Sequence, residues 1–562
     1  MPGVHWPQSC WLAPLGLWCV VAACSAAEER GPGGSGSGAG AGAGSGVGTG
    51  TSVLPARVRR LSNAEYDASV QVLLGSQLVP SVELGFPPDA KQGPTNSPAG
   101  AAFTVNDGQR VDPVLADKLD ASAQALVAEA RQNGRLAALA PCSDASPAGG
   151  AACAKAFIES VGAQFYRRPL VEAEVTGLLA AYHVGADGFT YAEGIDTVAR
   201  VLLQSPGFLY LTEIGEVGSG ASFVMTPAEV AASLSYLLTA APPDAQLAAA
   251  APSLLDAEVR EAEARRLLAT PAGRARLVRV VREWLGIEHV ARREKSQTVY
   301  PEFAGLSHAM EQESRDFIEE VLVRSSGTLT ELLTADWTIA DPALAAAYGV
   351  SAAGQGQRTM LGSVKRRGIL NQGAFLSVFA TNSGSHPVFR GVALMRRIAC
   401  LEVPDPGALG IVVSFPAADA SKTTRARFEA HAMDPGCAGC HDTIDNLGFA
   451  FEAFDGIGRE RSSENGLPID TSVTLGAAPD LTGSYADHVE LLTALARSES
   501  VKTCLARQLF RSSAARSDDT VRDAEEAFVG TWKQLPPEKQ DRLEDVLLAF
   551  VRSPVFVERR VP

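Results

Sequence analysis

Positive charge is in short supply in this chain. Its 562 residues carry 49 Lys and Arg against 64 Asp and Glu, a formal net charge of −15, and no basic run exceeds Lys365-Arg366-Arg367. That balance argues against nucleic acid and anionic lipid as principal partners. The apolar run from Trp11 to Ala23 is too brief to span a bilayer as a stable anchor. Strand-type alternation is sparse, so the body reads as mainly α, with irregular connections. Methionine is also scarce, with 6 in the chain.

Against that background one stretch makes a specific chemical claim. Cys437-Ala438-Gly439-Cys440-His441 places two cysteines three apart with a histidine directly after them, the attachment pattern of c-type haem. The two thiols suit the vinyl groups of one porphyrin, and the adjacent imidazole suits its iron as the proximal ligand. A zinc site needs further ligands at suitable spacing, and no second CxxC or HxxxH follows. A thiol redox pair needs a βαβ context that this region does not show. Both remain alternatives to a covalent haem c.

The first segment bears on compartment. Residues 1–23 read as a signal peptide ending in small residues, and Val21-Ala22-Ala23-Cys24 resembles a bacterial lipobox with Cys24 as the lipidated residue. A cleaved signal without lipid is the alternative, and the n-region lacks Lys and Arg. From 24 to 54 the chain is dominated by Gly, Ser and Ala, a flexible tether. The expectation is an exported protein, an outer-membrane or cell-surface lipoprotein or a periplasmic one, touching membrane through its lipid alone.

Cysteine usage agrees with an oxidising compartment. With Cys10 and Cys19 in the signal, Cys24 lipidated, and Cys437 and Cys440 on haem, four of the 9 cysteines are left. Cys142 and Cys153 flank a small-residue loop and are expected to close a short disulfide, with Cys400 and Cys504 joined across the haem region. Free buried thiols are the alternative.

The body divides into an N-terminal helical domain (55–140), a second helical domain (141–215), a central one (216–355), a haem module (356–483) with a small irregular or β segment, and a C-terminal helical domain (484–562). Ser62-Asn63-Ala64-Glu65 and Thr226-Pro227-Ala228-Glu229 are capping boxes that start helices. Pro169 suits a first helical turn. A polar loop at 382–387 offers His386 and Arg390 as ligand-facing candidates, with a plain surface connection as the alternative.

Several stretches together carry a family resemblance: LSNAEYDASVQVLLG, FYRRPLVEAEV, LLQSPGFLY with TPAEVAASLSYLL, RRGILNQGAFL with HPVFRG, CAGCHDTIDNLGFAFEAFDGIGRER, and CLARQLFRSS. In these the chain resembles the secreted multidomain cytochrome-c-type proteins of planctomycetes and myxobacteria, built from domains of unknown function. Asp445-Asn446 stands where that family tends to write Asp-Pro, and His386 where a small hydroxyl residue is more usual. The resemblance implies a haem-binding secreted architecture without a settled reaction.

No methionine follows His441, so the common downstream Met ligand for the iron's second axial site is excluded. His431 and His488 are the leading candidates for that site, with Met433 and His386 behind them. Arg459 and Arg461 are expected to pair with haem propionates, and Phe449, Phe451 and Phe454 to wall the haem. Glu452 and Asp455 offer acid/base chemistry on weaker grounds. Electron transfer with an unknown redox partner is the expected function. A surface haem enzyme of peroxidase or oxidase type, or a polymer-binding scaffold, is the alternative.

Overall fold

The computed structural model describes residues 53–91, 103–104, 110–140, 142, 147–187, 190–216, 221–401, 403, 407, 410, 415–432, 435–476, 478, 480–516 and 521–561. The side chains at 147–149 and 430–437 lie outside that description. The chain divides into two units, Met1–Thr49 and Gly50–Pro562, and every described residue belongs to the second. The signal segment, Cys24 and the tether up to residue 52 are therefore outside the described residues.

The body is mainly α. Two short strands, β1 (Leu54–Pro55) and β2 (Arg57–Arg60), lead into helix α1 (Asn63–Leu74). Ser62 starts the helix: its hydroxyl accepts the Glu65 N–H at 3.2 Å, and the Glu65 carboxylate takes the Ser62 N–H at 2.8 Å. Two otherwise orphaned donors are satisfied at once. Helices α2 (Pro113–Gln132), α3 (Glu172–Ala186) and α4 (Tyr191–Gln204) follow. Tyr66, Leu126, Phe165, Leu202 and Phe208 fill the apolar core of this part. Helix α3 begins at Glu172 rather than near Pro169, because Arg167 sits at φ 58° and the Glu174 carboxylate takes the Val171 N–H at 2.9 Å.

Strand β3 (Tyr210–Glu213) pairs antiparallel with β2, Arg57 opposite Glu213. Strand β4 (Ser222–Val224) precedes α5 (Pro227–Thr239), which the second capping box starts. Then come α6 (Ala257–Leu268), α7 (Pro271–Leu285) and α8 (Phe303–Arg324). The segment expected to hold the haem supplies α9 (Pro387–Ala393), α10 (Thr424–Ala432) and α11 (Pro435–Phe449). A hairpin of β5 (Val473–Leu475) and β6 (Gly483–Tyr485) packs on α11 through β5. The chain ends in α12 (His488–Arg497), α13 (Glu499–Ala514), α14 (Arg522–Trp532), α15 (Leu543–Arg552) and β7 (Glu558–Arg560).

One large core runs from α5 to the last helices and contains Trp284, Phe317, Phe451, Phe454 and Trp532. Central, haem-segment and C-terminal helices therefore share their apolar interior. Cys400 is disulfide-bonded to Cys504 of α13 (S–S 2.06 Å), and Cys142 to Cys153 (2.13 Å). The ends of the body meet in a three-stranded sheet: β7 runs parallel to β1, Leu54 opposite Arg559, and antiparallel to β4. Beneath it the buried Glu213 carboxylate holds Arg57 at 2.8 Å, Arg559 at 2.7 Å and Arg516 at 3.2 Å. No helix among the described residues is long and apolar enough to cross a membrane.

Candidate functional site

The CAGCH stretch forms the first turns of α11, a position reached because Pro435 suits the start of a helix and nothing up to Phe449 breaks it. What fixes this helix is its crossing with α9. A Cβ on Gly391 would lie 1.8 Å from the carbonyl oxygen of Ile444, and one on Gly448 would lie 2.0 Å from that of Pro387. The two backbones touch where only hydrogen fits. These contacts run antiparallel, 391 against 444 and 387 against 448.

Past its last residue α11 is held by Arg390, a fully buried side chain on α9. Its guanidinium donates to the carbonyls of Phe451 at 2.9 Å, Phe454 at 3.0 Å and Asp455 at 2.6 Å. It also stands 3.7 Å from the Glu452 carboxylate. Arg390 is therefore a clamp on the backbone, and its ligand-facing role gives way to that structural one.

On α11 the Cys440 thiol is free and exposed. Beside it the His441 side chain is 19% exposed, with Nδ1 2.9 Å from Oδ1 of Asp445 one turn later. Asp445 itself is buried, and its Oδ2 has no hydrogen-bond partner among the described residues. The hydrogen bond to Asp445 raises the imidazole above its ordinary pKa, with burial acting in the opposite direction. An Nδ1–H donated to a carboxylate leaves the lone pair on Nε2, the tautomer and orientation that metal-bound histidines use. An accessible thiol and a carboxylate-oriented imidazole on one turn fit a thioether anchor and an axial ligand. The side chains of Cys437 and His431, and residue Met433, lie outside the described residues.

The other expected site residues are spent within the chain. Arg459 pairs with Asp455 at 2.7 Å and Glu302 at 2.6 Å. Arg461 pairs with Glu452 at 2.8 Å and donates to the Ser385 hydroxyl oxygen at 3.0 Å. Both guanidiniums already pair with carboxylates of the chain, Arg459 with its side chain still 44% exposed. Glu452 and Asp455 are likewise the acceptors in these pairs. His488 is 1% exposed, with Nε2 hydrogen-bonded to the Lys365 carbonyl and its ring against Phe454 at 4.9 Å. A histidine so placed serves the core rather than an iron. Phe451 and Phe454 are fully buried in that same core.

His386 caps α9, its Nδ1 accepting the Phe389 N–H at 3.2 Å, and its ring stacks on Phe389 at 3.7 Å. Burial, with Arg390 and Arg427 nearby, brings it down to about 4, so the ring is neutral. Its Nε2 is buried without a hydrogen-bond partner. Because Pro387 lies against Gly448, His386 stands near the far end of α11, about 10 Å along the axis from His441. The described structure does not bring the two imidazoles together. The same antiparallel register, continued into the π-helical turn after α9, sets the buried Met395 near the level of Cys440, a methionine that the sequence did not single out. Alongside α11 an open groove of 770 Å3 is lined by polar groups, among them Asp442, Asn446, Thr474 and Tyr485.

Three family models match the chain. Residues 153–213 match PSD5, a protein of unknown function (DUF1595), residues 225–350 match PSD4 (DUF1592), and residues 366–464 match PSCyt3 (DUF1588). The chain thus carries three domains of the kind associated with c-type cytochromes in planctomycete-type proteins. The last of them spans α9, α10, α11 and the Arg390 clamp. Comparison with curated proteins and with solved structures finds no match.

Proposed function

We propose that this chain is an exported c-type-cytochrome-like protein in which Cys437 and Cys440 anchor one covalent haem and His441 is its proximal ligand, serving electron transfer. The observation that carries the reading is the exposed Cys440 beside an imidazole held at 2.9 Å by the buried Asp445. When bound, the haem supplies a one-electron iron couple. The chain's own residues do the rest. Asp445 fixes the ring plane of His441 and strengthens it as a donor. The Gly391 and Gly448 contacts and the Arg390 clamp hold α11 rigid, so the histidine keeps its place through the redox cycle. The three matched domains support the reading at the level of the family type. Export with lipid at Cys24, and a tether between membrane and body, are part of the proposal and follow from the sequence.

The carboxylate on His441 also favours a second reading. A more basic proximal ligand, without a downstream methionine to close the other face, suits a haem enzyme acting at the cell surface.

Expression with cytochrome c maturation machinery, followed by a denaturing gel stained for covalent haem, tests both readings. A haem-bearing band that disappears in the Cys437→Ala, Cys440→Ala variant is expected. Absence of such a band, in this host and in a native one, overturns both readings. Spectra then divide them: a low-spin iron indifferent to carbon monoxide and peroxide supports electron transfer, and a high-spin, ligand-accessible iron supports catalysis.

A further inference from the structure

Away from α11, the junction of β2, β3, α5, α7 and the end of α13 encloses a cavity of 60 Å3, room for a few waters or one small oxyanion. Five arginines line it, Arg57, Arg59, Arg276, Arg279 and Arg559, against two carboxylates, Glu65 and Glu213. Both carboxylates are already engaged. Glu65 takes a two-pronged bond from Arg59, at 2.7 and 2.9 Å, and Glu213 holds Arg57 and Arg559.

Arg276 and Arg279, one turn apart on α7, are left without an ion pair among the described residues. The Nε of Arg276 donates to the Leu237 carbonyl at 3.2 Å, its one hydrogen bond there. The Nε of Arg279 is buried with no acceptor. Glu283 lies further along the same helix, buried, taking the Thr104 hydroxyl at 3.4 Å. Burial and the neighbouring Arg279 bring Arg276 down to about 10, with Glu283 and Glu65 acting in the opposite direction. Glu65 and Glu283 act on Arg276, and Asp89 on Arg279, without forming an ion pair with either; the lining still carries five guanidiniums against two carboxylates, and such an excess is costly unless an anion joins it. Arg279 also lines an open cleft of 880 Å3 together with Arg282, Arg292 and Arg315 against Glu288 and Glu311; Arg282 and Arg315 pair with Glu311, and the remaining excess of arginine favours the approach of an anion.

We propose that this cavity is a binding site for a phosphate-class tetrahedral oxyanion, held by Arg276 and Arg279. Planar guanidiniums match such an ion with paired N–H bonds, and the serine hydroxyls of Ser62, Ser233 and Ser512 on the lining can supplement them. The cavity admits one oxyanion group, either a free ion or the terminal group of a larger molecule lying in the outer cleft. The proposal is independent of haem.

The test is calorimetric titration of the full-length protein with sodium phosphate at constant ionic strength. Sulfate, glycerol phosphate and acetate serve as parallel ligands. Saturable binding of one phosphate per chain, competed by sulfate and not by acetate, is expected. Arg276→Gln and Arg279→Gln should each weaken it by about tenfold or more, while Arg315→Gln, confined to the outer cleft, leaves inorganic phosphate unchanged. Tighter binding of glycerol phosphate identifies the terminal group of a larger ligand; equal or weaker binding identifies the free ion. Lack of saturable phosphate binding by the parent protein overturns the proposal. So does undiminished affinity in both glutamine variants. The parent titration decides alone if those variants do not fold.

Discussion

Oδ1 of Asp445 lies 2.9 Å from Nδ1 of His441, one turn further along α11, and the carboxylate is buried where water does not screen it. This pair sets the electron density of the proposed iron ligand. In the haem-loaded protein Asp445→Asn keeps the shape of the side chain and removes its charge. The midpoint potential is expected to rise by about 60 mV or more, a tenfold change for a one-electron couple. Redox titration of parent and variant checks this, and equal potentials would show that Asp445 does not act on the iron.

Gly391→Ala tests the helix crossing. The added methyl meets the Ile444 carbonyl at 1.8 Å, which is backbone and cannot swing aside. A loss of about 1–3 kcal/mol is expected, read from urea or thermal unfolding. Gly305→Ala, on the exposed side of α8 with nothing within 4 Å, serves as the control and should cost nothing. A comparable loss in both would refute the crossing as the cause.

Glu313 predicts a pH slope. Burial pushes its carboxyl up to about 7 against the hydrogen bonds from Thr338 and Tyr348, each at 2.7 Å. Between the ordinary value of 4.5 and about 7 the unfolded chain ionises while the folded one stays protonated. Stability is therefore highest below that window and falls as pH rises through it, by up to ~3 kcal/mol. Chemical denaturation from pH 4.5 to 7 should show the decline, and Glu313→Gln should flatten it; an unchanged slope in the variant would assign it to other groups.

The bond between Cys400 and Cys504 closes a separation of 104 residues. Replacing both cysteines by serine is expected to cost about 2–5 kcal/mol, chiefly through the freer unfolded chain. Added reductant should lower the unfolding midpoint of the parent more than that of a protein lacking this pair, and equal shifts would contradict the assignment.

The legible parts of the sequence were those whose signal is local. Ser62 with Glu65, and Thr226 with Glu229, announce helix starts because the capping contacts span only three residues. CAGCH is equally local. Asp445 was noticed only as the first of the Asp-Asn pair, since its bond to His441 needs the helix to be in place. Arg459, Arg461 and His488 carried no sequence mark of their true roles. Their partners, Glu302, Ser385 and Lys365, come from distant segments. Arg276 and Arg279 carry no mark in the sequence. Only the convergence of β2, β3 and α13 around them reveals a site. Strands β1, β3 and β4 escaped for a related reason: pieces of two to four residues hold no alternation to read.

The parallel pairing of Leu54 with Arg559 makes a late-synthesised strand the partner of an early one. A ribosome or a translocation pore delivers Leu54 long before Arg559, so the sheet stays open until the whole body has emerged. Until β7 is in place, β1 and β4 lack the strand between them and leave two open edges of the kind that pair with other chains.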